Sequence, residues 1–173
     1  MIAPLRTPVL GVAAFSGTGK TTLLGQVIPL LKARGLKLGL VKHSHHSFEI
    51  DKPGKDSYKL SRAGAVQTII ASRQRTVKIV NHAVHAEPTL ADFLQRLDNE
   101  RLDLILVEGF KYQAIPKIEL HRPSLNKPLL CVSDAFVIAV ATDTPLALQV
   151  SVPLLELNNP AMIADFIQSV TIR

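Results

Sequence analysis

The sequence predicts an α/β fold, a three-layer sandwich built on a mostly parallel central sheet, and three observations predict it. Short β-branched or Leu-rich runs alternate with stretches of helical period, the pattern of strands joined by crossover helices. Residues 104–107 and 136–141 are almost entirely apolar, as strands buried on both faces require. The chain has 173 residues, 47% of them hydrophobic and 20% charged, enough for one core without disulfides or a structural metal. The lone Cys131 also forbids an internal disulfide framework. The expectation is a single domain over 1–173.

The elements follow in order. Residues 9–15 form the first strand, Ser16-Gly17-Thr18-Gly19 a turn, and a helix runs to about Arg34, where Gly35 ends it. On that helix Leu23, Leu24, Val27, Ile28, Leu30 and Leu31 recur at spacings of three and four, an apolar stripe that must face a core. Pro29 is expected to kink it, since the ring removes a backbone donor and crowds the carbonyl of Gly25. Residues 36–42 are the second strand. The polar stretch 43–56 that follows is too long for an idle connector. A short helix spans about 56–63, ending at Gly64, then strands at 66–71 and 76–80, the second alone or in a hairpin.

Thr89 with Asp92 three residues on reads as a capping box opening a helix that ends near Asp98. Strands are expected at 104–107, 117–121, 136–141 and 153–157. Asn159-Pro160 then opens a terminal helix, Asn as its cap and Pro in its first position. The apolar runs are far too short to cross a bilayer. A single early cation, Arg6, with no cleavage site after the apolar run argues against a leader, so the chain is expected in the cytoplasm.

Charge is unevenly shared. Residues 1–78 carry 13 Lys and Arg against 3 Asp and Glu, while 79–173 carry 7 against 11. The first half therefore attracts an anion. With no Trp and only two Tyr, the cations lack interleaved stacking aromatics, which argues against nucleic acid.

The anion is a phosphate chain if Ala14-Phe-Ser-Gly-Thr-Gly-Lys-Thr-Thr22 is a P-loop, with Ala in place of the first Gly. In that motif, backbone amides of Ser16, Gly17, Thr18 and Gly19 converge on phosphate oxygens and the helix start adds its positive end. Lys20 reaches the terminal phosphates, Thr21 can bind Mg²⁺, and Thr22 lies in the same first turn. The preceding apolar strand and the following apolar-striped helix are the context the motif needs. The fold class is thus that of the P-loop NTPases. Glu108, at the carboxyl end of a buried strand, sits where ligands bind in open parallel sheets. It either orders the water around a metal and positions an attacking water, or simply ends the strand.

Lys42, His43, His45, His46, Asp51, Lys52, Lys55 and Asp56 crowd one polar stretch. The His spacing fits no standard zinc site. The stretch reads instead as a cover over phosphates, with Asp51 or Asp56 completing the Mg²⁺ shell. Asp143 lies just past a strand end, where a carboxylate can accept the N1 and N2 protons of guanine, or it begins a turn before Pro145. Asn126-Lys127-Pro128-Leu129 resembles a guanine reader only at its start. His82, His85 and His121 read as surface or packing residues, and Cys131 has no neighbouring base in sequence.

Together Ala13–Leu23, Lys42–His46, Asp51–Ser57, Ala63-Gly-Ala65 and Asp103–Lys111 resemble the MobB family across nearly the whole chain. The resemblance implies a P-loop GTP-binding accessory of molybdenum cofactor synthesis. Such a protein works beside the MobA-like guanylyltransferase that joins GMP to molybdopterin, and is a homodimer with weak GTP hydrolysis. On that reading GTP and Mg²⁺ are the cofactors, with Ser16–Thr22, Lys42, His43 and Asp143 on the nucleotide and Thr21, Asp51 and Glu108 on the metal. Lys20 and Glu108 carry any hydrolysis. A small-molecule kinase using the same loop, with Arg73 and Arg75 in a lid, is the alternative. A nucleic-acid-binding module using the basic half is a third reading.

Overall fold

The computed structural model describes residues 6–44, 49–82 and 89–172. In chain order the elements are β1 (Val9–Ala13), α1 (Lys20–Ala33), β2 (Leu38–Lys42), α2 (Asp56–Arg62), β3 (Gln67–Ala71), β4 (Thr76–Val80), α3 (Leu90–Leu94), β5 (Leu104–Glu108), β6 (Lys117–His121), β7 (Val137–Thr142), β8 (Leu154–Glu156) and α4 (Pro160–Thr171). They fall into two compact units, Met1–His43 with Thr89–Arg173, and Ser44–Pro88. Among the described residues no helix is long and apolar enough to cross a membrane.

The larger unit holds a six-stranded sheet in the order β2-β5-β1-β6-β7-β8, every pair parallel. Alternation along the strands sends side chains to two layers. Leu10, Val12, Leu104, Leu106, Ile118, Leu120, Ala139 and Ala141 meet Leu23, Leu24, Val27 and Leu31 of α1 and Ile163, Ala164 and Ile167 of α4. On the opposite face Val41, Ile105 and Val107 pack with Leu90 and Leu94 of α3. Beside them Ala13, Val137 and Val140 pack with Leu130, from a short 3-10 turn at Leu130–Val132. All five residues of β5 and all five of β6 are buried. This is the expected three-layer sandwich.

The helix ends follow local chemistry. The Thr89 and Asp92 capping box forms as expected, each side chain bonding the other's backbone amide. Asn159 accepts from the Met162 amide and Pro160 begins α4. α1 is one helix with Pro29 inside it. α3 stops at Leu94 rather than near Asp98: the Arg96 and Leu97 amides bond the Phe93 and Leu94 carbonyls three residues back, and the Asn99 side chain donates to the Leu94 carbonyl at 3.0 Å.

β6 carries polar side chains through the interior. Lys117, 1% exposed, donates to the carbonyls of Lys111 and Gln113 at 3.2 and 2.6 Å and to Asp134 at 2.7 Å. Glu119, equally buried, accepts the amides of Leu130 and Cys131 at 2.7 and 2.9 Å and so caps the 3-10 turn. His121 is buried with Nδ1 4.0 Å from Glu119, the packing role expected of it.

The second unit is an antiparallel β3–β4 hairpin with α2 before it. The hairpin turn is tied by Ser72, whose Oγ accepts the amides of Gln74 and Arg75. None of its described residues is buried, and Leu60, Val66 and Ile69 are exposed.

Candidate functional site

The sheet order reverses direction at β1, which lies between β5 and β6. The crevice at the carboxyl ends of the strands beside such a switch point is the ligand site of open α/β sheets. β1 delivers the chain there into Phe15–Gly19. Gly17 and Gly19 take φ of 82° and 100°, left-handed conformations that side chains resist, and the turn passes directly into α1. Gly19 caps α1 with no side-chain hydrogen bond, and the first turn contains no acid. The amides of that turn and the positive end of the helix therefore face whatever anion arrives. Thr21 and Thr22 are exposed there, and Ser16 and Gly17 form the exposed crest of the loop. Thr18 contributes backbone only, because its hydroxyl is buried and donates to the Phe15 carbonyl at 2.8 Å.

Lys20 folds back over the loop, its ammonium 3.2 Å from the carbonyls of both Ala14 and Phe15. Burial pushes the Lys20 pKa below its ordinary value, Glu108 pulls it up, and Lys111 and Lys42 push it further down. The loop thus holds a desolvated cation among other cations, which an anion would relieve.

Glu108 ends β5 level with Val12 of β1 and Lys42 of β2. It is 8% exposed and pairs with the Lys42 ammonium at 3.0 Å. The His43 amide donates to the Glu108 carbonyl at 2.9 Å, and the His43 ring stacks on Phe110 with centroids 4.9 Å apart. Gly109, at φ 104°, lets these strand ends close: a Cβ there would lie 2.6 Å from the His43 carbonyl oxygen. Lys20, Lys42, His43 and Glu108 are therefore brought together at the ends of β1, β2 and β5.

Two cations that sequence reasoning missed join them. Lys111 lies 4.0 Å from the Phe15 ring centroid and 4.6 Å from that of Tyr112. Arg122, just past β6, donates through Nε to the Thr18 carbonyl at 3.0 Å. It also pairs with Asp143 at 2.5 Å, so Asp143 stands at the end of β7 with a partner no sequence spacing revealed. Lys111 closes the Asp103–Lys111 motif, which is the one signal that pointed to it; Arg122 gave none.

Asp51 belongs to the smaller unit, where one carboxylate oxygen accepts the Lys52 amide at 2.9 Å and the other is buried with no hydrogen-bond partner among the described residues. His45, His46 and His85 lie outside the described residues, and His82 is exposed. Arg73 and Arg75 sit in and beside the hairpin turn. Asn126 takes a left-handed φ of 49° ending a 3-10 turn, which accounts for it without a nucleotide. Cys131 is no activated thiol: burial and Glu119 raise its pKa. Among the described residues no group of three or more His, Cys, Asp or Glu converges into a metal cage.

A parallel sheet with a Gly-rich strand-to-helix turn at its switch point is the architecture of the P-loop NTPase folds. The chain belongs to the MobB family, described as molybdopterin guanine dinucleotide synthesis protein B, which it matches over residues 9–143. It is 51% identical over 161 residues to the molybdopterin-guanine dinucleotide biosynthesis adapter protein of Escherichia coli, covering 92% of this chain and 91% of that one. To the protein of the same name in Haemophilus influenzae it is 44% identical, covering 94% and 88%. Among solved structures it resembles a MobB homolog from Bacillus stearothermophilus, with TM-score 0.70, 24% identity and coverage of 94% and 97%. Bacillus subtilis MobB gives 0.71 at 20% identity, covering 94% and 96%. These structural likenesses concern the fold.

Proposed function

We propose that the protein is a GTP-binding adapter in molybdopterin guanine dinucleotide synthesis. It works in the cytoplasm beside the guanylyltransferase that joins GMP to molybdopterin, with weak GTP hydrolysis at most. The observation that carries the nucleotide half is the loop itself: two left-handed glycines, an uncapped helix start, and Lys20 held on the loop carbonyls at 3.2 Å. The pathway half rests on the names of relatives that align over nearly the whole chain.

The residues fit a magnesium nucleotide. A triphosphate offers the desolvated Lys20 ammonium a stronger acceptor than the carbonyls it now touches. Backbone amides of Ser16 to Thr22 bind the phosphates, and Lys42 and Lys111 add positive charge beside them. Mg²⁺ commonly takes one or two protein ligands plus phosphate oxygens, which suits Thr21 with Glu108 and needs no protein cage. Bound there, the ion would neutralise phosphate charge. Asp143 accepts the guanine N1 and N2 protons, which adenine does not offer.

The homodimer expected of the family is supported by the Ser44–Pro88 unit, whose exposed Leu60, Val66 and Ile69 are surface that an interface would cover. Calorimetric titration with GTP and ATP, each with and without Mg²⁺, tests the nucleotide reading. Tight Mg²⁺-dependent GTP binding supports it, and no binding of either overturns it. Transfer of phosphate from ATP to a metabolite would instead point to a kinase. Co-elution with the purified guanylyltransferase tests the adapter role, and sedimentation tests the dimer.

A further inference from the structure

Arg122 sits where three loops meet. Its Nε donates to the Thr18 carbonyl at 3.0 Å, its Nη1 pairs with Asp143 Oδ2 at 2.5 Å, and its Nη2 lies 3.4 Å from the Asn158 side-chain oxygen. The contacts span 104, 21 and 36 residues of sequence. They join the phosphate loop, the end of β7 and the segment between β8 and α4. Five donors in one rigid plane are what allow a guanidinium to hold several acceptors at fixed angles, which a lysine cannot reproduce.

Each contact has a directional consequence. A trans peptide is planar, with its carbonyl and the next amide on opposite sides. Holding the Thr18 carbonyl therefore turns the Gly19 amide away from Arg122. At Asp143 only Oδ2 is engaged; Oδ1 is buried and has no hydrogen-bond partner among the described residues. A buried carboxylate oxygen left unpaired is costly. Here the carboxylate is clamped through one oxygen and offers the other.

We propose that Arg122 is a positioning residue that ties nucleobase recognition by Asp143 to the phosphate loop, holding the carboxylate by one oxygen and the Thr18–Gly19 peptide by its carbonyl. The proposal rests on the reading of Asp143 as the base reader. Without the clamp, the carboxylate rotates, and the acceptor that Oδ1 offers to the guanine N1 and N2 protons is lost along with the fixed loop peptide. Asp143 reaches the phosphate loop only through Arg122, whereas Arg122 touches both the carboxylate and the loop carbonyl.

The test measures binding of GTP, ATP and inorganic tripolyphosphate to the full chain by competition against a fluorescent nucleotide. Wild type, Arg122→Gln, Arg122→Lys, Asp143→Asn and the Arg122→Gln/Asp143→Asn double variant are compared. Asp143→Asn is expected to lower the GTP-over-ATP preference about tenfold, the scale of losing a specific hydrogen-bond match, and to weaken tripolyphosphate less than Arg122→Gln does. Arg122→Gln is expected to lower the preference by a similar factor and to weaken tripolyphosphate as well. The double variant is expected to show no lower preference than Asp143→Asn alone, because the two residues act through one contact.

Arg122→Gln that keeps the full wild-type preference overturns the proposal, whatever happens to its Tm. If that variant does not fold, Arg122→Lys decides: it keeps the charge but cannot hold all three acceptors, and an undiminished preference there overturns the proposal equally. Wild-type protein with no GTP preference sinks the base-reader reading and this proposal together. Preference lost in Asp143→Asn but kept in both Arg122 variants sinks this proposal alone.

Discussion

Replacing Lys20 by alanine is expected to abolish GTP binding while leaving the fold standing, and the structure sets both magnitudes. In the free protein the ammonium makes two hydrogen bonds to loop carbonyls at 3.2 Å, each with a net worth of about 1 kcal/mol. Against them stand the burial that lowers its pKa and the repulsion from Lys111 and Lys42. The terms oppose one another, so the net change in stability is expected to stay within about 1 kcal/mol, a Tm shift of roughly 2–4 °C for a chain of this size. On a triphosphate the same donors make charge-assisted bonds of about 1.5–3 kcal/mol each. Losing two of them weakens binding more than about hundredfold. Calorimetry with Mg²⁺-GTP reads the affinity and a thermal melt reads the fold. The sign in pH also follows. The free-protein pKa of Lys20 lies below 10.5, and phosphate favours the charged form, so GTP affinity falls as pH rises through that lowered value. Unchanged affinity in the alanine variant, or a collapse of its Tm, would refute the reasoning.

Three other outcomes test the scaffold. Asp134→Ala leaves the buried Lys117 ammonium without its carboxylate and is expected to cost about 3 kcal/mol, read by urea unfolding. Burial works to raise the Asp134 carboxyl, but hydrogen bonds from Lys117 and the Phe136 amide, with the Lys117 charge, outweigh it and hold the pKa below 3.8. Its contribution is therefore present above pH 3.8 and lost as pH falls through the lower folded value. A wild-type acid transition identical to that of Asp134→Ala would count against it. Gly109→Ala forces a left-handed side chain against the His43 carbonyl and is expected to cost about 2 kcal/mol or more; a variant as stable as wild type would show that the strand ends are not closed there. Thr89→Ala removes the capping box of α3 at about 1 kcal/mol, visible as a small Tm decrease.

What the sequence made legible was local. The strand, Gly-rich turn and striped helix of residues 9–34 follow from periodicity and turn chemistry within one window, and the structure reproduces them within two residues at either end. Glu108 was legible because an acid closing an apolar strand has a known place in a parallel sheet. Thr89 and Asn159 were legible because a cap is a contact over three residues. The reading failed where a contact spans the chain. Arg122 lay in a loop with no motif, and only the fold brings it to Thr18, 104 residues away. Lys117 read only as the start of a strand, and nothing local shows that it is buried, its ammonium enclosed by Asp134 and two carbonyls, from Lys111 and Gln113. α3 ran short because its last amides bond three residues back, and Asn99, five residues past Leu94, donates to the Leu94 carbonyl.

A crystal structure of the protein with Mg²⁺ and a non-hydrolysable GTP analogue tests the central claim most directly. The β- and γ-phosphates are expected within hydrogen-bond distance of the amides between Gly17 and Thr22, with the Lys20 ammonium moved from the Ala14 and Phe15 carbonyls onto phosphate oxygen. Nucleotide bound elsewhere, or Lys20 still on those carbonyls beneath a bound triphosphate, would contradict it.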